Sequence, residues 1–253
     1  MGGIMPARYG DPVPASTFPD ALAEQLRADP GRPVVTFYDD ATGERIELSL
    51  TTYANWVAKT AGLLQDELGL ERGGLVLLDL PTHWLGPVWL GAAWAMGLTV
   101  TTDHDRRTDA DVVVCGPDGV ATYGEDAGRA PVVALSLRPL GAPFAEALPP
   151  GVVDYSAVVL GQPDAFAAYD PPQPGDAAWQ EAGGAARTQE DLLATDRLPG
   201  RLLTDVNPCA DAGLDTLLGP LLGGGGTVWV RNPVADGWDR RAEAERATAT
   251  RRA

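Results

Sequence analysis

The sequence has a single lysine, Lys59, so nearly all of its side-chain cations are arginines. A Walker-type phosphate loop requires a glycine followed by a lysine. Lys59 follows an alanine and precedes a threonine, so the chain contains no loop of that type.

Cysteine and histidine are almost as scarce. Cys115 and Cys209 lie far apart, and neither has a second cysteine or a histidine at metal-ligand spacing. The sequence therefore predicts no metal site, and it predicts two free, buried thiols. Unbridged thiols are typical of a reducing compartment, so we expect a cytoplasmic protein.

No stretch is long and apolar enough for a membrane span. The longest run without charge, residues 85–100, is shorter than the roughly 18 residues that a span needs. The first six residues lack the basic region and the apolar core of a signal peptide. We expect neither a span nor a leader.

What the sequence does have is the composition of a folded, acidic protein. Its 253 residues are 45% hydrophobic and 21% charged, and the net charge is −16. Such a surface repels phosphate backbones, so nucleic acids and anionic membranes are not expected partners.

The order of apolar segments predicts an α/β fold with a mainly parallel sheet and flanking helices. Residues 1–17 are expected to form a loose arm, and residues 18–253 a single domain with an irregular Pro/Gly-rich connection at 139–184. Helix 82–96 has tryptophans on all sides and should be central. A first helix is predicted to begin near Pro19, and further helices are predicted at residues 51–68, 189–194, 213–222 and 238–253. The predicted strands are residues 34–38, 45–48, 75–78, 98–101, 111–114, 132–137, 202–206 and 227–230.

Several of these segments resemble the opening of adenylate-forming enzymes, the superfamily of AMP-binding acyl-CoA synthetases. Residues 50–53 (LTTY), 69–78 (GLERGGLVLL) and 94–100 (WAMGLTV) are similar to the "LTYxEL", "GVxxGDxV" and "KAGAxxVPL" segments of that superfamily. Residues 213–230 are similar to its later "GLxxLLxPLLxGATVVL" segment, and 246–250 to the "ERVT" that precedes its next strand. The resemblance implies the amino-terminal fold of those enzymes, and the chain is also similar to an uncharacterised, truncated actinobacterial family.

The resemblance implies that the phosphate loop of these enzymes corresponds to residues 179–187. The family's loop is rich in Ser and Thr and ends in Pro-Lys-Gly, whereas this segment has no Ser, Thr, Lys or His and contains the acidic Glu181. Gly183, Gly184 and Arg187 are the residues left that could meet a phosphate. The histidine of the family's "PLFH" segment is replaced here by Ala210 or Asp211. We therefore expect no catalytic residue and no cofactor. ATP and Mg²⁺ would be needed only under the alternative of a working adenylate-forming ligase.

Other candidate positions have two interpretations each. His83 follows a predicted parallel strand, where ligands often bind, although a surface histidine in a first helical turn is more frequent. Residues 102–105 and the neighbouring Asp109 and Asp111 could attract a divalent cation, or they could form a solvated turn. Residues 223–226 are all glycine, but they precede a strand, which favours a turn over a phosphate loop.

Three functions are compatible with this sequence. The favoured one is a non-catalytic binding or scaffold protein with an unknown protein partner or a small acyl or carboxylate ligand. The second is a reduced ATP-dependent ligase that another chain completes. The third is an unrelated doubly wound enzyme.

Overall fold

The computed structural model describes residues 15–253. Their strands are β1 (Pro33–Asp39), β2 (Glu44–Ser49), β3 (Leu75–Asp79), β4 (Thr99–Thr101), β5 (Val112–Cys115), β6 (Val132–Ala134), β7 (Val152–Asp154), β8 (Ala177–Gln180), β9 (Ala186–Thr188), β10 (Arg201–Thr204), β11 (Gly226–Arg231) and β12 (Ala249–Arg251). The α-helices are α1 (Phe18–Ala28), α2 (Leu50–Gly62), α3 (Leu85–Ala95), α4 (Val120–Tyr123), α5 (Tyr155–Val158), α6 (Gln189–Leu193), α7 (Leu214–Leu222) and α8 (Trp238–Ala244).

The strands form two sheets. One has seven strands in the order β7-β6-β5-β3-β4-β8-β9, and the other has five in the order β12-β10-β11-β1-β2. Neighbouring strands are parallel except in the hairpins β1-β2 and β8-β9. The predicted α/β class, with mainly parallel pairing and flanking helices, is confirmed, but the parallel strands are divided between two sheets.

Helix α3 is buried along its whole length, as its even distribution of apolar residues predicts. The indole of Trp94 donates to the carbonyl of Ala178 on β8 at 3.0 Å. On another side, the hydroxyl of Tyr53 on α2 donates to the carbonyl of Pro87 at 3.0 Å. A Cβ on Gly91 would lie within 2.8 Å of Val57, so the glycine lets α2 approach α3 closely.

Helix α2 begins earlier than its sequence indicates. Ser49, not Thr51, caps the helix and accepts a hydrogen bond from the backbone of Thr52 at 3.1 Å. The helix then continues through one π-helical turn, Leu63–Glu67. Gly69 adopts a φ of 66° just beyond it, as the predicted left-handed end requires.

The stretch 139–184 is more regular than predicted. It contributes β7 and β8 to the seven-stranded sheet and also contains α5. These strands have only three or four residues, which is too short for a period of two to show in the sequence. The apolar run 158–160 is helical, with Val159 packed into the core and Leu160 exposed.

The predicted helix 238–253 is wrong in its second half. Helix α8 ends at Ala244, Arg246 adopts a φ of 51°, and β12 follows. The left-handed backbone of Arg246 ends the helix, with the backbone of Ala247 donating to the carbonyl of Ala242 at 2.8 Å, and the chain then pairs with β10. The carboxylate of Glu245, at the end of the helix, accepts from Arg201 on β10 at 2.6 Å. The strand that the family resemblance implies near 246–250 is therefore present as β12.

Two expectations remain open. Residues 1–14 of the predicted arm lie outside the described residues, and Thr17, at the end of that arm, is buried. The single-domain interpretation of 18–253 stays a prediction. No helix within the described part of the chain is long and apolar enough to cross a membrane.

Replacing Trp94 by aspartate tests the central position of α3. The substitution places an unpaired carboxylate in the core and leaves a cavity, so we expect the free energy of unfolding to fall by more than about 4 kcal/mol in urea denaturation. Tyr169→Asp is the matched control, because Tyr169 is 83% exposed and should change stability little. Equal stability of the two variants would contradict the burial of α3.

Candidate functional site

The predicted phosphate-loop segment is the β8-β9 hairpin at one edge of the seven-stranded sheet. Trp179 is fully buried in β8, and Arg187 pairs with it across the hairpin in β9. The loop itself is therefore shorter than the predicted segment 179–187, because only residues 181–185 form the turn. Glycine is required at Gly183, which has a φ of 64°.

Hydrogen bonds within the turn hold its backbone and occupy the N–H of Gly184, one of the donors that a phosphate could use. The backbone of Gly184 donates to the carbonyl of Glu181 at 3.2 Å. The side-chain amide of Gln180 donates to the carbonyl of Gly184 at 2.8 Å and to that of Glu181 at 3.2 Å. Two carbonyls of the turn and one of its N–H groups are thus satisfied internally.

Arg187 faces the helix that follows the turn. Its guanidinium lies 3.5 Å from the carbonyl of Asp191 on α6. Thr188 and Asp191 form a capping box that begins this helix, and the hydrogen bonds from Thr188 lower the pKa of the Asp191 carboxyl. The structure therefore places Gly183, Gly184 and Arg187 in one hairpin, but the Arg187 guanidinium has no hydrogen bond to the turn among the described residues.

The segment that replaces the family's "PLFH" lies next to the hairpin. The carboxylate of Asp211 accepts from the buried indole of Trp179 at 3.1 Å. The side chain of Asn207 donates to the carbonyl of Leu80 at 2.8 Å and accepts from the backbone of Cys209 at 3.0 Å. Sequence reasoning missed the Asp211 contact, although a buried indole N–H normally requires an acceptor.

Both thiols are buried and free. Burial raises the pKa of Cys209 to about 12, and the same effect, reinforced by the carboxylate of Asp79, raises the pKa of Cys115 to about 12. Thiols with such pKa values are poor nucleophiles at neutral pH. The prediction of two free, buried cysteines is confirmed.

His83 is buried, so the interpretation as a surface histidine is wrong. Only 1% of it is exposed, and its ring centroid lies 4.8 Å from that of Phe37. The backbone of Leu85 donates to Nδ1 at 3.3 Å, so the neutral ring carries its proton on Nε2, which has no partner among the described residues. Burial, reinforced by the charge of Arg231, lowers the pKa of His83 to about 3.

The acidic turn after β4 is held by local bonds. The carboxylate of Asp103 accepts from the backbone of Asp105 at 3.0 Å, Asp109 pairs with Arg106 at 2.9 Å, and Asp111 accepts from the backbone of Leu75 at 2.7 Å. Within the described residues no three His, Cys, Asp or Glu side chains converge as metal ligands would. His104 instead bonds Tyr123, a partner that sequence reasoning did not find.

The four glycines at 223–226 form the predicted turn between α7 and β11. Gly224 adopts a φ of 76°. A Cβ on Gly225 would clash with the carbonyl of Gly200, and one on Gly226 with the carbonyl of Pro33. These glycines serve close backbone packing at the start of β11.

Comparison with known proteins identifies relatives. No family model matches the chain. A Mycobacterium tuberculosis protein described as a TIGR03089 family protein is 38% identical over 239 residues, which cover 90% of this chain and 94% of that protein. The chain belongs to the TIGR03089 family.

Solved structures show that this TIGR03089 family chain has the amino-terminal fold of acyl-CoA synthetases. It matches Streptomyces lividans acetoacetyl-CoA synthetase with a TM-score of 0.76 and 18% identity, over 94% of this chain and 42% of that enzyme. It matches a Brucella canis acyl-CoA synthetase with a TM-score of 0.72 and 18% identity, over 92% of this chain and 47% of that enzyme. It also matches the N-terminal domain of FACL13 from M. tuberculosis with a TM-score of 0.71 and 14% identity, over 92% of this chain and 62% of that one. The chain thus spans about half the length of these structures, and the hypothesis of an unrelated doubly wound fold is wrong.

Acid titration tests the burial of His83. A histidine whose pKa falls from 6.5 to about 3 on folding binds fewer protons in the folded state, so its contribution to stability is complete above pH 6.5 and is lost as the pH falls towards 3. We expect the wild-type protein to lose roughly 3 kcal/mol more than His83→Asn between neutral pH and about pH 4.5 in urea unfolding.

His104→Asn is the matched control for this titration, because it removes the exposed histidine and should retain the acid sensitivity of the wild-type protein. If His83→Asn and the wild-type protein had parallel stability curves, His83 would not be buried as a neutral ring.

Proposed function

We propose that this TIGR03089 family chain is a non-catalytic relative of AMP-binding acyl-CoA synthetases, retained as a binding or scaffold protein. The single observation that carries the proposal is the β8-β9 turn at the phosphate-loop position. Its five residues, 181–185, offer no hydroxyl and no cationic side chain, and Gln180 bonds across it.

Acid adenylation makes demands that this turn does not meet. A carboxylate must attack the α-phosphate of ATP in line, while loop donors and a metal ion neutralise the developing charge. The turn instead contributes the carboxylate of Glu181, which repels phosphate, and Arg187 is directed to α6. One guanidinium outside the turn supplies neither the orientation nor the charge for this displacement.

The nature of the ligand is part of the proposal. The related solved structures include enzymes named for acyl groups, so a small acyl or carboxylate compound, or a protein that carries one, is the chemistry to test first. The two buried thiols, Cys115 and Cys209, are compatible with a reducing compartment, and on that ground we propose a cytoplasmic location.

A second candidate is a reduced ATP-dependent ligase that another chain completes. Strand β12 favours it, because β12 pairs with β10 on one side and has no partner on its other side among the described residues. An open strand edge can accept a strand from another chain.

The two candidates differ in their response to ATP. We expect isothermal titration of the purified chain with ATP and Mg²⁺ to show no saturable heat, and acid-dependent pyrophosphate exchange to stay at background, since the turn lacks phosphate-binding side chains. A full-length acyl-CoA synthetase assayed in parallel verifies both measurements.

Exchange by the isolated chain that requires a carboxylic acid and disappears in Arg187→Ala would overturn the non-catalytic proposal. Exchange that appears only after a second purified chain is added would support the completed ligase.

A further inference from the structure

A second group of reactive side chains, none of them part of the β8-β9 turn, lies at the carboxyl edge of the seven-stranded sheet. Strand β3 lies between β4 and β5, and the chain passes from β4 across β3 to β5. The strand order therefore reverses at β3. In open parallel sheets such a reversal leaves a crevice at the carboxyl ends of the strands, where ligands bind.

Three side chains form a hydrogen-bonded series at this edge. Asp79 is the last residue of β3, His104 lies in the turn after β4, and Tyr123 ends α4 after β5. The hydroxyl of Tyr123 donates to Oδ2 of Asp79 at 3.0 Å, and Nδ1 of His104 lies 2.6 Å from the same hydroxyl. The series joins three segments of the chain that are separate in sequence.

The series determines which nitrogen of His104 carries the proton. A phenol has one proton, and Tyr123 donates it to the Asp79 carboxylate. The Tyr123 oxygen must therefore accept from His104, so the neutral imidazole is protonated at Nδ1 and has its lone pair on Nε2. Tyr123 keeps its proton because burial and the hydrogen bond to Asp79 both raise the pKa of its hydroxyl.

Surrounding contacts hold this geometry in place. Tyr123 is buried, and its ring lies nearly parallel to that of His104, with an interplanar angle of 7°. The guanidinium of Arg107 lies 5.9 Å from the centre of the Tyr123 ring and pairs with Asp126 at 2.6 Å. His104 itself is exposed, and no described residue bonds its Nε2, so that acceptor is open to a ligand.

The charges around His104 indicate which charge a ligand would carry there. Arg106 and Arg107 are both paired with carboxylates, Asp109 and Asp126. Asp103 and Asp105, which flank His104, have no cationic partner among the described residues. The local field is therefore negative and favours a cation.

We propose that His104, Tyr123 and Asp79 form a binding site for a small cation that carries a hydroxyl, such as an amino alcohol. The ligand hydroxyl donates to Nε2 of His104, and the neighbouring carboxylates attract its positive charge. The site is independent of the proposed loss of adenylation activity, because it shares no residue with the β8-β9 turn.

Nitrogen NMR of the full chain labelled at histidine tests the arrangement of the series. The chain has two histidines, and His104→Asn assigns their signals. We expect the neutral His104 to show its proton on Nδ1 in the wild-type protein, and to shift towards Nε2 protonation in Tyr123→Phe, which preserves the buried ring. His83, with its proton on Nε2, is the internal reference. A wild-type His104 that is protonated on Nε2 would refute the proposal.

Two probes with the same hydroxyl and opposite charges test the binding. We expect ethanolamine to shift the Nε2 signal of His104 in a saturable way, and glycolate to leave it unchanged. The apparent affinity for ethanolamine should weaken at least about fivefold in Tyr123→Phe and in Asp79→Asn, as loss of one hydrogen bond implies. No saturable shift with ethanolamine, or an equal shift with glycolate, would overturn the assignment.

Discussion

The burial of α3 is the constraint on which the rest of the fold depends. The helix has no polar side, so every direction around it must be covered by other elements. Its large side chains, Trp89 and Trp94 among them, belong to one apolar cluster that also contains Phe37 of β1 and Val76 of β3. This single cluster includes residues of both sheets, and the hydrogen bond from Trp94 to the carbonyl of Ala178 links α3 directly to the β8 strand.

Paired arginine and glutamate side chains link β10, β2 and the end of α8 in the five-stranded sheet. The guanidinium of Arg201 on β10 donates to Glu47 of β2 at 3.1 Å and to Glu245 at 2.6 Å, and Glu245 also bonds Arg45. The side chain of Glu245 is only 8% exposed, so it is stable there because it is paired. These contacts hold the end of α8 against the β1-β2 hairpin and orient the chain for β12.

The same fold contains two chemically different places. In the turn of the β8-β9 hairpin the side chains are small or acidic, and hydrogen bonds within the turn hold its shape. At the reversal of strand order, two polar side chains, Tyr123 and Asp79, hold the exposed imidazole of His104. The first place therefore offers no hydroxyl and no cationic side chain to a phosphate. The second has a basic nitrogen whose neighbours are acidic.

The sequence by itself determined the α/β class, the buried α3, the β1-β2 hairpin and the absence of phosphate-binding side chains at 181–185, because these depend on local periodicity, turn residues and composition. Only the tertiary structure decided the division into two sheets, the burial of His83, the early end of α8 and the contact between His104 and Tyr123. Each of these depends on which distant segments pair, and a one-dimensional pattern does not record such pairing. Short strands such as β7 and β8 were missed for the same reason, since three or four residues show no period until a neighbouring strand pairs with them.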